Sequence, residues 1–182
     1  MDIPIEGEEW ARAVDPADIG DPASFGRAYE LHRLTVYRYL RARTRSDDDA
    51  LDLTAATFER AFVARTRFRP RDGGLAAWLL RIARNAAIDA ARRRPPTSTL
   101  PFDEGGVDQI ALAAHRDAQG RAAVRDLIDG LPADQREAVY LRYAGGLTAR
   151  EIGGVMGKSE AAVQKQIQRA LEALREAFDE RD

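Results

Sequence analysis

Apolar residues recur three and four positions apart along most of the chain, which is the spacing of one face of an α-helix. No long run of β-branched residues alternates with polar ones, so the pattern predicts an all-α protein. The first helix is expected to be capped by Ser24. Helices are predicted over residues 25–45, 46–67, 75–94, 117–129, 133–143, 148–156 and 159–178.

The clearest local signals lie within residues 131–174. Thr148 and Glu151 have the spacing of a capping box, in which each side chain bonds the backbone N–H of the other residue. Gly157 can supply the positive φ that ends a short helix, and Ser159 can cap the next one. A short helix, a glycine turn and a longer helix predict a helix-turn-helix, whose second helix enters the DNA major groove.

The longer helix has two different faces when about 100° is allowed per residue. One face is apolar and is expected to be buried: Val163, Ile167, Ala170, Leu171, Leu174 and Phe178. The opposite face is small, amide-bearing and basic. Gln pairs bidentately with adenine and Arg or Lys pairs with guanine, so DNA reading is one interpretation, and a solvated face of a helical bundle is the other. The candidate duplex-binding residues are Ser159, Gln164, Lys165, Gln168 and Arg169.

Composition divides the chain into two small helical domains. Residues 1–23 carry seven acidic residues and one arginine, a net charge of −6, and form an acidic extension. Residues 24–95 form the first domain, and residues 117–182 form the second, which contains the helix-turn-helix. Residues 96–116 are rich in Pro, Gly, Ser, Thr and Asp and predict a flexible linker.

Composition also limits the chemistry. The chain has no cysteine, which excludes thiol catalysis, disulfides and cysteine zinc sites. His32 and His115 lack metal-site spacing, and no cofactor or metal is expected. No apolar run reaches membrane-spanning length and the acidic start is unlike a signal peptide, so we expect a cytoplasmic protein without membrane insertion.

The second half of the first domain is strongly basic. Residues 60–94 carry ten arginines and two aspartates, a net charge of +8. Aromatic residues are interleaved in the same half of the domain, at Phe58, Phe62, Phe68 and Trp78. Arginines that hold phosphates beside rings that stack bases are typical of single-strand binding. Helical spacing alternatively makes Trp78 and Phe62 core residues. Phosphate contact best explains the three arginines around a Pro/Gly loop: Arg67, Arg69 and Arg71.

Two sets of motifs lie in order along the chain, separated by the linker. The first set is Asp52-Leu53-Thr54, residues 58–62 (FERAF), residues 77–85 (AWLLRIARN), Ile88-Asp89 and residues 92–96 (RRRPP). The second set is Leu131-Pro132, Arg136, residues 141–143 (LRY), 146–148 (GLT), 151–153 (EIG) and 157–159 (GKS), Val163, residues 169–171 (RAL) and Leu174-Arg175. Together they resemble the bacterial extracytoplasmic-function (ECF) sigma factors, which are promoter-recognition subunits of RNA polymerase.

The resemblance implies three contact surfaces, an anti-sigma protein as partner, and no enzymatic chemistry. Docking on the clamp of core RNA polymerase would involve Asp49, Asp52, Leu53 and Phe62. Capture of the melted minus-ten strand would involve Arg67, Phe68, Arg69, Arg71, Arg81, Arg84, Asn85 and Arg92. The duplex-binding residues named above would read the minus-thirty-five element.

The chain departs from the family pattern at three places. Ala55-Ala56 stands where Gln-Glu is frequent, and Ala161-Ala162 stands where Gly-Thr precedes the recognition valine. Gln164 and Gln166 replace residues that are usually basic. Because fewer cations release fewer counterions, we expect weaker and less salt-sensitive duplex binding than is usual in the family.

Two other classes of function compete with a sigma factor. A stand-alone helix-turn-helix regulator would use only the C-terminal helices, and it leaves the arginine-rich first domain unexplained. An enzyme acting on nucleic acid has no support in the sequence, because no carboxylate cluster, metal-ligand set or nucleophile–base pair stands out. Promoter-dependent transcription with core polymerase separates these classes.

Overall fold

The computed structural model describes residues 19–44, 46–69, 73–93 and 124–179, and all regular structure in these ranges is helical, as predicted. None of the described helices is both long and apolar enough to cross a membrane. The first domain contains α1 (Pro22–Arg43), α2 (Asp47–Ala64), a 3-10 turn (Arg65–Arg67) and α3 (Gly74–Arg93). The second contains α4 (residues 124–129), α5 (Ala133–Val139), a π-helical turn (Tyr140–Ala144), α6 (Ala149–Met156) and α7 (Glu160–Asp179).

The predicted linker, Arg71 and His115 lie outside the described residues. The start of α1 corrects one expectation: its N-cap is Asp21, whose Oδ2 accepts a 3.0 Å hydrogen bond from the Ser24 N–H. Pro22 fits the first turn, where its missing N–H costs no hydrogen bond. Ser46 caps α2, because its hydroxyl accepts the Asp49 N–H at 3.3 Å.

The core of the first domain forms where α1, α2 and α3 pack together. The apolar residues that recur at helical spacing in α3 are buried or half-buried: Leu75, Trp78, Leu79, Ile82, Ala86 and Ile88. Ala77, Leu80, Ala83 and Ala87 are buried as well. A helix that is apolar on several sides needs partners on several sides. α3 has them, because it packs on α1 and α2 and also on α6 of the second domain.

The two domains therefore share one core within the described part of the chain. Leu141, Leu147 and Ile152 of the second domain belong to the same buried cluster as the first-domain residues. The two domains approach each other closely at Gly145, since a β-carbon there would lie 2.8 Å from Leu80 Cδ1. The sequence alone did not predict this direct packing.

Candidate nucleic-acid interface

The helix-turn-helix is built by the capping groups that the sequence predicts. Thr148 Oγ accepts the Glu151 N–H at 3.3 Å, and Glu151 Oε2 accepts the Thr148 N–H at 2.8 Å. Gly157 ends α6 with a φ of 68°. Ser159 Oγ accepts the Ala162 N–H at 3.2 Å and so caps α7, although its own hydroxyl hydrogen can still be donated. These bonds fix the orientation of α7 relative to α6.

Further polar contacts hold α5 and the π-helical turn against this unit. Lys158 Nζ lies 2.9 Å from Asp134 Oδ2, and Arg142 Nη1 donates to the Leu147 carbonyl at 3.0 Å. The Tyr140 hydroxyl donates to Asp129 Oδ1 at 3.2 Å. Burial and the nearby Asp129 carboxylate raise the pKa of Tyr140 to about 12, so the hydroxyl remains a donor. The second domain is thus a connected scaffold behind α7.

The outer face of α7 exposes the four predicted base-reading side chains: Gln164, Lys165, Gln168 and Arg169. Two glutamates of the same helix accept hydrogen bonds from the two amides: Gln168 Nε2 donates to Glu172 Oε1 at 3.0 Å, and Gln164 Nε2 donates to Glu160 Oε1 at 3.4 Å. Each of these bonds uses one of the two N–H groups of the amide, so the other N–H and the carbonyl oxygen can still contact a base. Lys165 and Arg169, four residues apart, share a face of the helix.

The buried face of α7 is shorter than the apolar pattern predicts. Val163 and Ala170 are buried, but Leu171 is 41% exposed and Phe178 is 52% exposed, which corrects the expectation that both are core residues. Ala170, Ala173 and Leu174 pack against the cluster of Leu131 and Val139, so Leu171 is exposed because it lies at the edge of the apolar face. Phe178 lies in the last turn of α7, beyond the residues that pack in this cluster.

The loop after α2 presents arginines and buries its aromatic residue. Arg67 and Arg69 are exposed, and Arg69 Nη1 donates to the carbonyls of Thr66 at 3.2 Å and Phe68 at 2.9 Å. The Phe68 ring is only 5% exposed and lies 5.2 Å from the Trp78 ring. A ring buried in this way cannot stack on a base in this conformation, and the expected contact of Phe68 with the melted strand stays a prediction. Phe68 instead anchors the loop to α3.

The predicted strand-contacting residues of α3 separate into two groups. At about 100° per residue, Arg81, Asn85 and Arg92 fall within a stripe of about 40°. Asn85 and Arg92 are exposed and Arg81 is half-buried. Arg84 lies on the side that faces the second domain, where its Nε is 3.6 Å from Glu137 Oε1. Asn85 and Arg92 of this stripe are therefore exposed, whereas Arg84 is held by an ion pair.

The four predicted polymerase-contacting residues of α2 do not form one patch. Asp52 is exposed, and Asp49 and Leu53 are half-buried on one side of it. Phe62 lies about 180° around the helix from Leu53. Its ring packs edge-on against Phe25 at 5.3 Å. Phe62 is nevertheless 40% exposed, whereas Trp78 is buried. The interpretation that both are core residues therefore holds for Trp78 and not for Phe62.

Phe62 belongs to an exposed apolar stripe that the sequence reasoning did not single out as a site. Leu51 is 56% exposed, and Leu51, Ala55 and Phe62 recur at helical spacing on one face of α2. Val63, beside Phe62, is also exposed. The signal was present in the sequence, because these apolar residues fall outside the face formed by Ala50, Thr57 and Ala61.

Comparison with known proteins identifies the family to which this chain belongs. Residues 28–95 match the family described as Sigma-70 region 2, and residues 121–174 match Sigma-70, region 4. The chain is 34% identical over 167 residues to ECF RNA polymerase sigma factor BldN of Streptomyces coelicolor. The aligned residues make up 88% of this chain and 62% of BldN. It is 32% identical over 188 residues to ECF RNA polymerase sigma factor SigD of Mycobacterium tuberculosis, covering 94% of this chain and 85% of SigD.

Solved structures agree with the sequence relatives. The structure of CnrH in complex with the cytosolic domain of CnrY aligns with a TM-score of 0.73 and 25% identity, over 96% of this chain and all of CnrH. RpoE of Bartonella quintana, solved with the anti-sigma factor NepR, shares the fold, with a TM-score of 0.63 and 22% identity over 85% of this chain and 96% of RpoE. The protein described here belongs to the ECF RNA polymerase sigma factors.

Proposed function

We propose that this chain directs core RNA polymerase to a set of promoters and has no enzymatic chemistry of its own. In this proposal α7 reads the minus-thirty-five duplex through Lys165, Arg169, Gln164 and Gln168, with Ser159 donating to a phosphate. The observation that carries the proposal is that one chain exposes basic and amide side chains on two separate helices, α7 and α3.

The face on α3 is proposed to hold the melted minus-ten strand. Arg81, Asn85 and Arg92 would contact it along one stripe, and the exposed Arg67 and Arg69 would bind its phosphates beside that stripe. Arg71, outside the described residues, is proposed to extend the same cluster. Extruding a base costs a few kcal/mol, and contacts available only to an open strand return part of that cost.

Docking on the polymerase clamp is proposed for α2. Asp49, Asp52 and Leu53 supply an acidic edge, and the stripe of Leu51, Ala55 and Phe62 supplies exposed apolar area. The protein would act in the cytoplasm, where polymerase works. An anti-sigma protein that covers these surfaces is proposed as its regulator, in line with the family to which the chain belongs.

The test is run-off transcription from genomic fragments with purified core polymerase, with and without this chain. We expect transcripts that depend on the chain and are lost in the double variant Lys165→Ala, Arg169→Ala. If no fragment gives a transcript while the chain still binds duplex DNA, a stand-alone helix-turn-helix regulator is the better description.

A further inference from the structure

We propose that Glu137 latches the two domains together in the free chain, and that this closed state withholds Arg84 from DNA until the domains separate. The contact of Arg84 with DNA is implied by the family resemblance and rests on the function proposed above, whereas the closure itself does not. The latch is the set of four residues formed by Tyr39, Arg43, Arg84 and Glu137.

Three first-domain side chains converge on one second-domain carboxylate. The Tyr39 hydroxyl donates to Glu137 Oε1 at 2.7 Å, and Arg43 Nη1 donates to Glu137 Oε2. Arg84 Nε lies 3.6 Å from Glu137 Oε1. Glu137 itself is only 6% exposed and Tyr39 is fully buried. No described residue of the second domain supplies a cation to this carboxylate, so its charge is compensated by the first domain.

The burial of Glu137 is what couples it to closure. A buried carboxylate is costly unless it is paired and hydrogen-bonded, and removing one partner of such a pair is strongly destabilising. Burial raises the pKa of Tyr39 well above its ordinary value, so its hydroxyl stays protonated as a donor. Opening the domains returns the carboxylate to water, whereas closing them requires all three partners to be in place.

Other contacts across the interface act in the same direction. Arg125 of α4 donates from Nη2 to the Arg41 carbonyl of α1 at 2.6 Å. Leu80 packs against Gly145, where any larger residue would collide with it. α1 also packs against the π-helical turn. The latch is therefore the polar centre of a larger interface between the domains.

The latch is not saturated, which suits a contact that has to release. The Nε atoms of Arg43 and Arg84 are buried and have no hydrogen-bond partner among the described residues. A cavity of about 550 Å³ borders the latch, and its lining includes Arg43, Arg84, Arg136 and Glu137.

Closure of the domains affects DNA binding through Arg84. Only 28% of its side chain is exposed while the domains are packed together, so closure limits the access of a DNA phosphate to its guanidinium. A ligand that binds only the open state has its apparent affinity reduced by the fraction of molecules that are open. Loss of the latch should therefore raise the affinity of the free chain for single-stranded DNA.

The absence of cysteine allows a direct measurement of closure. Two exposed positions, Glu59 in α2 and Glu176 in α7, are replaced by cysteine in the full chain and labelled with a donor and an acceptor dye. Energy transfer then reports the separation of the domains. Glu137→Gln removes the charge and keeps the shape, and Tyr39→Phe removes only a hydrogen bond from the other domain. Asp134→Asn is the matched control, because it lies on the same helix but pairs with Lys158 of its own domain.

We expect Glu137→Gln to lower the transfer efficiency and to raise affinity for a fluorescent random-sequence single-stranded 20-mer by about tenfold. Tyr39→Phe should change both in the same direction by less, and Asp134→Asn should change neither. Adding Arg84→Ala to Glu137→Gln should remove most of the gain in affinity. If Glu137→Gln does not fold, as judged by far-UV circular dichroism, Tyr39→Phe decides.

Unchanged transfer efficiency in folded Glu137→Gln and Tyr39→Phe would overturn the latch. Lower transfer efficiency without any gain in oligonucleotide affinity would overturn its inhibitory role. Neither measurement contains polymerase or a promoter. A failed run-off assay therefore counts against the sigma function alone, and a failed energy-transfer result counts against the latch alone.

Discussion

Gly153 of α6 lies so close to Lys158 that a β-carbon on Gly153 would stand 2.6 Å from the Lys158 carbonyl oxygen. In the other direction, the Lys158 N–H donates to the Gly153 carbonyl at 2.9 Å. The turn of the helix-turn-helix closes directly onto α6 through this pair. Glycine is needed here for space, since α6 gives it ordinary helical geometry.

Gly153→Ala should therefore destabilise the protein. The added methyl meets a backbone oxygen that cannot rotate away, and overpacking of this kind costs about 1–3 kcal/mol of unfolding free energy. Gly154→Ala, at the exposed neighbouring position of α6, is the control and should stabilise by about 0.5–1 kcal/mol. Urea denaturation measures both, and equal stability of the two variants would contradict the steric argument.

Lys165→Ala and Arg169→Ala should each weaken duplex binding. Each loses a side chain from the exposed face of α7, and a good base contact contributes about 1–3 kcal/mol of discrimination. Fluorescence anisotropy on a bound genomic duplex measures the loss. Arg33→Ala removes the same charge from an exposed site on α1 and should leave binding nearly unchanged. An equal loss in Arg33→Ala would show that net charge, and not the position of the side chain on α7, accounts for the weaker binding.

Gln164→Arg should steepen the salt dependence of duplex binding. An added phosphate contact releases counterions and changes the slope of log K against log salt by about −0.9. Gln166→Arg should have a smaller effect, because Gln166 is half-buried whereas Gln164 is exposed. Titrations at several salt concentrations test this, and an unchanged slope in Gln164→Arg would show that position 164 does not meet the DNA.

Asn85→Ala should impair strand opening and spare duplex binding. Asn85 is exposed on the α3 stripe, away from α7, and loss of one base contact costs about 1–3 kcal/mol. Permanganate reactivity of the promoter in the polymerase complex reports opening, and anisotropy reports duplex affinity. The outcome that contradicts the proposal is a loss of duplex affinity as large as the loss of opening.

Stability should depend on the protonation of His32. Burial lowers the pKa of His32 below its ordinary value of 6.5, so on acidification the unfolded chain takes up the proton first. The contribution of neutral, buried His32 to the unfolding free energy is fully present above pH 6.5. It is lost as the pH falls through the lowered pKa of His32 in the folded state. His32→Gln should flatten this part of the curve in urea denaturation. Parallel curves for the two proteins would exclude the effect.

Local structure was predictable because its causes are local. The Thr148–Glu151 capping box, Gly157 and the Ser159 cap each involve residues a few positions apart. The first helix start was missed, because Asp21 and Ser24 are both good capping residues and only the backbone path selects Asp21. Which residues contact DNA or polymerase remains a prediction drawn from exposure and family.

The sequence by itself determined the all-α class, the two sets of helices and the polar face of α7, since spacing along one helix needs no knowledge of its neighbours. Tertiary structure decided which side of each helix is covered. It buried Phe68 against Trp78, left Leu171 exposed at the edge of the apolar face of α7 and Phe178 exposed in its last turn, and brought Glu137 to Tyr39 across 98 positions of sequence. Such contacts depend on how whole helices pack, and no local pattern records that.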